Sequence, residues 1–472
     1  MPTNLRRLAI RTRELLAAQP ASAWTVLALA AVAYLTLAAT QWLRYQSPSW
    51  DLGIFTQIIQ QYASFQPPIV HIKGADYNIL GDHFHPILVL LAPVYAVLPS
   101  AFTLMACQAL LLAVSAFFVT KSADLLLGRV GGWLIGLAYA FSWGVQQAAA
   151  VQFHEVAMGA PILAIGLWLL IKQRPVAAAI WFGLLVFVKE DLGLTVLMLG
   201  VVLVLRTRRW LLGGLLSAWG LLWFVLAMFV ILPALNPRGK YDYADNVSLT
   251  DVVSNPIGTL AEILSNEQKM ATVLLLLACT GFFCLRSNLA LALLPTLGWR
   301  FLSGNEGHWG QTWHYSLMLM PIAYVAAAEG IAKLQDSKVA FWRGYAKHGA
   351  AVVLTFAVAI SNQLPLWQLT KPATWEFTGP RQQAAAALID RVPGGAVVES
   401  DSSLMNHLVD HHDVYFIGQQ GNPPADYLVI DNVNGGWNTQ VNGAEYGATI
   451  HRGTRWEIIY DDQGYQLTRR VG

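Results

Sequence analysis

Charge is scarce in this chain. Only 12% of its 472 residues are Asp, Glu, Lys or Arg, against 55% hydrophobic, and the mean hydropathy is +0.46. Apolar runs of about twenty residues, each long enough to cross a hydrocarbon core of about 30 Å, recur as far as position ~365. A soluble protein of this length has no interior for so many unbroken segments. Cysteine is just as sparse: Cys107, Cys279 and Cys284 all lie in apolar runs. The step from 279 to 284 does not stack two thiols on one helix face, so no disulfide or metal framework is indicated. A net charge of +2, with no basic patch, gives no sign of a nucleic-acid partner. No 20–50-residue period recurs, which excludes a repeat architecture. His154-Glu155 has no second His at the spacing of an HExxH zinc site, which argues against protease chemistry. The apolar run from Ala21 to Thr40 is too long for a signal-peptide core and lacks a small-residue cleavage site, so an uncleaved first helix is expected.

What charge there is follows membrane topology. Arg6, Arg7, Arg11 and Arg13 place the N-terminus inside. Tracing the apolar runs from there puts 16 of the 30 Lys and Arg on inner segments, 7 on outer loops and 7 in the C-terminal stretch. The expected fold is mainly α: a polytopic membrane protein with about eleven transmembrane helices over residues 1–370, including a long first outer loop at 43–99. From about Lys371 the composition becomes that of a small extracytoplasmic α/β domain, 371–472. Arg381–Arg391 and Leu404–His411 read as helices, and Ala396–Glu399, Val414–Gly418 and Tyr427–Asp431 as strands. Trp456–Tyr460 and Tyr465–Arg469 read as a hairpin.

Against this background, four polar knots stand out. The first loop, Ser49 to Pro86, holds Asp51, His71, Asp76, Asp82, His83 and His85. Gln152-Phe153-His154-Glu155 is a second knot, Lys189-Glu190-Asp191 a third, and Arg300 with Glu306, His308, Trp309, Trp313, His314 and Tyr315 a fourth. The apolar halves flanking Lys189–Asp191 have about 13 or 14 residues, near 20 Å, so their turn falls below the surface in a protein-lined cavity. All four knots map to the outer side, which favours one shared cavity over ordinary loop solvation. The plainer alternatives are definite. Asp51 can cap the helix that follows it, Lys189 and Glu190 can pair with each other, and the tryptophans can be interfacial anchors.

The motifs SWDLGIF, GDHFHPIL, LLAPVYAVLP, QFHEVA and VKEDLGL, with ADYLVID and YDDQGYQL near the end, resemble in order a family of bacterial polytopic membrane proteins of unknown function. That family is in turn similar to the GT-C class of glycosyltransferases. The resemblance implies transfer of a sugar from a polyprenyl-phosphate lipid donor to a cell-envelope glycan or lipid acceptor, at the outer face of the cytoplasmic membrane. It makes Asp51 the candidate general base. It makes Lys189, Glu190, Arg300, His308, His314 and Tyr315 candidates for the donor and its phosphate. His83, His85, His154 and Glu155 become candidate ligands of a divalent cation (Mg, Mn or Ca), with His85 the weaker because relatives are expected to carry a small residue there. A transporter or lipid flippase, and a non-catalytic membrane scaffold, are the competing expectations.

Overall fold

The computed structural model describes residues 19–243 and 249–472. Arg6, Arg7, Arg11 and Arg13, on which the inward N-terminus rests, lie outside the described residues. Helix α1 (Ala21–Leu43) leads to α2 (Trp50–Ala63), and then, through short helical turns, to α3 (Ala101–Ala140). Gly128 interrupts α3 with φ 74° and ψ 177°, a conformation that costs glycine little and other residues much. The chain doubles back there. A Cβ on Gly132 would overlap Asp124 and one on Gly136 would overlap Thr120, so the two arms lie antiparallel in close contact. Residues 101–140 thus form two helical arms joined by a glycine reversal.

Next come α4 (Val156–Ile171), α5 (Pro175–Gly183), α6 (Leu192–Thr207) and α7 (Trp210–Leu226). Helices α6 and α7 approach through Gly193, Gly200, Gly213 and Gly220, each packed against the other helix's backbone. Small residues are the usual means of close helix contact where lipid removes the hydrophobic drive for association. Helices α8 (Glu267–Ala278), α9 (Leu294–Leu302), α10 (Leu319–Gln335), α11 (Ala340–Lys347) and α12 (Gly349–Ala359) complete the bundle, with α10 buried against α3 and α4.

Among the described residues, three helical stretches are long and apolar enough to cross a membrane: Ala21–Leu43, Ala101–Ala150, which the reversal at Gly128 divides, and Trp210–Leu235. The bent pair Ala340–Lys347 and Gly349–Gln363 can make a fourth. Four more apolar helices are shorter: Pro86–Val97, Val156–Ile171, Pro175–Phe187 and Leu192–Thr207. Their ends border three of the polar knots, at 82–85, 152–155 and 189–191. A helix that ends early leaves room for polar chain inside the protein boundary, where non-helical backbone is tolerated.

The C-terminal region begins with α13 (Pro380–Ile389) and builds one sheet from β1 (Val397–Ser400), β2 (Asp413–Phe416), β3 (Tyr427–Asp431), β4 (Trp456–Asp462) and β5 (Tyr465–Arg470). Strand order is β2-β1-β3-β5-β4, with β1 parallel to β2 and β3, and β5 antiparallel to β3 and β4. The helix expected over Leu404–His411 shrinks to one turn, Met405–Leu408, and an eight-residue helix at Gly443–Ile450 was not foreseen. Alternation along β3 puts Leu428 and Ile430 into a small separate core and Val429 into the main one. That main core runs without a break from Val26 in α1 through Leu52 in α2 to Met405, Leu408 and Val414. The tail is packed onto the helical part and is not suspended beside it.

Candidate active site

The site is built on the N-terminal turn of α2. Its cap is Ser49, whose hydroxyl accepts from the Leu52 N–H at 3.1 Å, so the capping role considered for Asp51 belongs to its neighbour. Asp51 sits in the first turn, where the helix dipole favours a carboxylate. Its Oδ2 lies 3.3 Å from Nε2 of His154. His154 is fixed from three directions. Gln152, in a left-handed conformation (φ 63°), turns its carbonyl to within 3.3 Å of His154 Nδ1. Gln108 from α3 accepts from the His154 backbone N–H at 2.9 Å and donates to the Gln152 carbonyl. His314 stacks on the imidazole with ring centroids 3.8 Å apart.

Two further ion pairs flank this contact. Lys189 donates to Glu155 at 2.7 Å, and Glu190 meets His83 Nδ1 at 2.7 Å while its other oxygen accepts from the Phe84 N–H at 2.9 Å. Lys189 and Glu190 thus bind different loops and not each other. Together these contacts bring the first three knots, and His314 from the fourth, into one assembly. Burial pushes the Asp51 carboxyl up, but the His154 hydrogen bond and charge, then Lys189 and His83, hold it below the usual carboxylate range. Burial pulls His83 down, and Glu190 reverses this and leaves it raised. His85 is buried against Phe55, and burial pulls it to about 4.

The remaining candidates take other positions. Arg300 is fully buried and spends its donors on the carbonyls of His308 (2.7 Å) and Gly310 (2.6 Å) and on the Ser316 hydroxyl (3.0 Å), which folds the 300–316 loop. His308 bonds Ser303 at 2.7 Å, and Tyr315 packs between His308 and His314. The four proposed metal ligands do not form a set. His83, His154 and Glu155 each face a protein partner, and among the described residues no group of three or more His, Cys, Asp or Glu is arranged to hold a metal ion. Three contributors were missed in the sequence. Gln108 was a lone polar residue in an apolar run. Tyr243 stacks on His83 at 5.0 Å, and Tyr241 reaches Glu190 at 3.5 Å. The tyrosines lie in the loop after α7, outside all four polar knots.

Comparison with known proteins fits this geometry. A family model described as "Predicted membrane protein (DUF2079)" matches residues 42–467, from just before Asp51 to the last strand. The chain belongs to the DUF2079 family. No curated protein matches this DUF2079 chain. Among solved structures, ArnT from Cupriavidus metallidurans bound to undecaprenyl phosphate is 14% identical, with a TM-score of 0.54 over 96% of this chain and 99% of that one. The same protein in its apo state is 12% identical, with a TM-score of 0.52 over 93% and 97%. The apo oligosaccharyltransferase of Archaeoglobus fulgidus is 13% identical, at 0.47 over 87% and 69%. At such identities the likeness to ArnT is one of fold, and this DUF2079 protein has a GT-C-like one.

Proposed function

We propose that this protein is an inverting membrane glycosyltransferase that moves a sugar from a polyprenyl-phosphate donor to a hydroxyl of a cell-envelope glycan or lipid. The reaction takes place at the outer face of the bacterial cytoplasmic membrane, with the N-terminus inside and the tail domain outside. One contrast carries the reading. The side chains of Glu155 and Glu190 are each 3% exposed and closed off by Lys189 and His83, whereas that of Asp51 is 49% exposed while still held by His154. A general base has to be ionised, oriented and reachable, and of these three carboxylates Asp51 meets all three conditions.

In this mechanism the acceptor O–H gives its proton to Asp51, and the freed oxygen lone pair attacks the anomeric carbon. The bond from that carbon to the phosphate oxygen breaks on the opposite face. The bonding electrons leave with the polyprenyl phosphate, and Asp51 returns its proton to water. Lys189 supplies positive charge for the departing phosphate, where a preoriented cation is most effective. Arg300 gives three of its five N–H donors to the 300–316 loop and so holds the segment that carries His308, His314 and Tyr315. The GT-C-like fold agrees with this reading, as does ArnT's capture with undecaprenyl phosphate.

The test is transfer of labelled sugar from a panel of polyprenyl-phosphate sugars by purified wild type and Asp51→Asn, each with and without chelator. Turnover in wild type, lost in a folded Asp51→Asn, is expected. Loss of turnover on chelation would assign a divalent cation to the imidazoles around Asp51, of which His85 and His314 each keep a buried Nδ1 without a hydrogen-bond partner among the described residues. Absence of turnover across the panel, with labelled lipid instead crossing the bilayer of proteoliposomes, would replace this reading with transport.

A further inference from the structure

The tail domain meets the catalytic region through β2 and through one short turn. Helix α14 (Met405–Leu408) and the residues on either side of it enter the angle between α1, α2 and the start of α3, and make three separate polar or aromatic contacts there. The His407 ring stacks on Trp42 at 3.8 Å and lies 4.6 Å from Tyr45, at the end of α1. Asp410 accepts from the Tyr95 hydroxyl and from the Ala101 N–H, both at 3.1 Å, and so caps α3 from another domain. Asn406, with no exposed surface, donates to the carbonyls of Ser47 (2.6 Å) and Ser49 (2.9 Å).

The Asn406 contact differs in kind from ordinary domain packing. A buried amide is costly unless its hydrogen bonds are made, and an apolar residue would fill the same space without that cost. Both Asn406 N–H groups are committed to the two carbonyls that lead into α2, one of them on the capping residue itself. They fix the peptide planes from which α2 starts, two residues before Asp51. The glycine of the DLG block completes the fit. A Cβ on Gly53 would come within 2.8 Å of Ile72 Cδ1, 3.1 Å of Met405 Cε and 3.2 Å of Asn406 Oδ1. A methyl group there would push the flexible ends of Ile72 and Met405 aside and press on the Asn406 amide. Around it, Gln57 donates to the Val414 carbonyl at 2.9 Å and Trp50 packs on Phe416 at 5.6 Å.

We propose that Asn406 is a positioning residue for Asp51, and that the turn from Leu404 to Asp410 makes the tail domain an integral part of the active site. The proposal rests on Asp51 being the base. A shift of about 1 Å at a catalytic group can cost about 100-fold in rate, so losing the two hydrogen bonds should lower kcat by about 10- to 100-fold. Donor KM should change by less than about twofold, since both Asn406 hydrogen bonds go to the Ser47 and Ser49 carbonyls of the chain entering α2.

The experiment compares full-length wild type, Asn406→Ala and Asn406→Ser by amide hydrogen exchange and by transfer kinetics. Gly53→Ala, which strikes the same contact from the α2 side, is measured in parallel. Faster exchange confined to residues 47–56, with kcat lowered and KM retained, is the expected result. Unchanged exchange over 47–56 in all three variants would overturn the proposal. So would faster exchange spread evenly through both domains in all three, because Asn406 would then be a general stability residue. The exchange readout needs no turnover. If wild type proves inactive, local deprotection at 47–56 still supports the positioning contact while the transferase reading fails on its own assay.

Discussion

His154 Nε2 lies 3.3 Å from Asp51 Oδ2, and both ring nitrogens of His154 face acceptor oxygens, one a carboxylate and one the Gln152 carbonyl. At 3.3 Å the contact is long for a hydrogen bond and has room to tighten when an acceptor hydroxyl arrives. His154→Phe keeps the stack on His314 and deletes the hydrogen bond. With that lowering influence removed, the Asp51 carboxyl rises, so the acid limb of the pH–rate profile should move to higher pH and the maximal rate fall by about 10- to 100-fold, as for loss of a charged hydrogen bond. His154→Gln, which retains a donor, should recover part of both. A profile unmoved in His154→Phe would remove His154 from the base assembly.

Lys189 and Glu155 form a nearly buried pair at 2.7 Å, with side chains 14% and 3% exposed. Breaking such a pair from one side strands a charge and costs about 3–5 kcal/mol, while replacing both partners is often close to neutral. Lys189→Met and Glu155→Leu should each lower the unfolding midpoint in detergent. Lys189→Met with Glu155→Leu should recover most of that loss without recovering turnover. Thermal melts of the four proteins form the cycle.

Gly81 of the GDHF block packs on backbone, and a Cβ there would overlap the chain at Leu235 and Asn236. Asn236 donates to the Gly81 carbonyl at 3.1 Å, tying the first loop to the end of the helix that follows α7. Gly81→Ala should therefore cost about 1–3 kcal/mol, the range for overpacking against structure that cannot yield. It should also loosen the loop carrying His83. Denaturation midpoint and exchange over 79–85 would show both effects.

Asp410 gives a pH signature of the docked tail. Burial pushes its carboxyl up to about 6, against the opposing pull of the Ala101 N–H, the Tyr95 and Ser100 hydroxyls and His411. A carboxyl raised in the docked state holds its proton more tightly there than in the unfolded chain. Its stabilising contribution is therefore complete below about pH 4 and is lost as pH rises through about 6. The melting midpoint of wild type relative to Asp410→Asn should be higher at pH 4.5 than at pH 7, by the equivalent of about 1–3 kcal/mol. A constant difference across that range would rule the effect out.

How much of this was written in the sequence depends on how far apart the interacting residues lie. Short-range features were legible. The apolar runs placed the helices, a short apolar run marked β3, and the strand–turn–strand pattern around Asp461–Gly464 marked the closing hairpin. The short helix at Gly443–Ile450 escaped because two of its eight residues are glycine. It forms because Asn442 caps it and Gly447 lets it lie against Trp456.

The polar knots were visible as clusters, but their pairing was not. Nothing local sends Lys189 to Glu155 while its neighbour Glu190 goes to His83, since the two side chains diverge from one turn toward different loops. Nor does anything local give the cap to Ser49 and free Asp51, or send Asn406 across more than 350 positions to Ser47 and Ser49. Composition and periodicity alone determined that this chain is a helical membrane protein with scarce charge gathered in a few loops and a small α/β tail. The tertiary structure decided which charges neutralise one another and which carboxylate stays reachable. Those choices are settled by the packing of helices that end at different depths, a non-local quantity that no window of sequence contains.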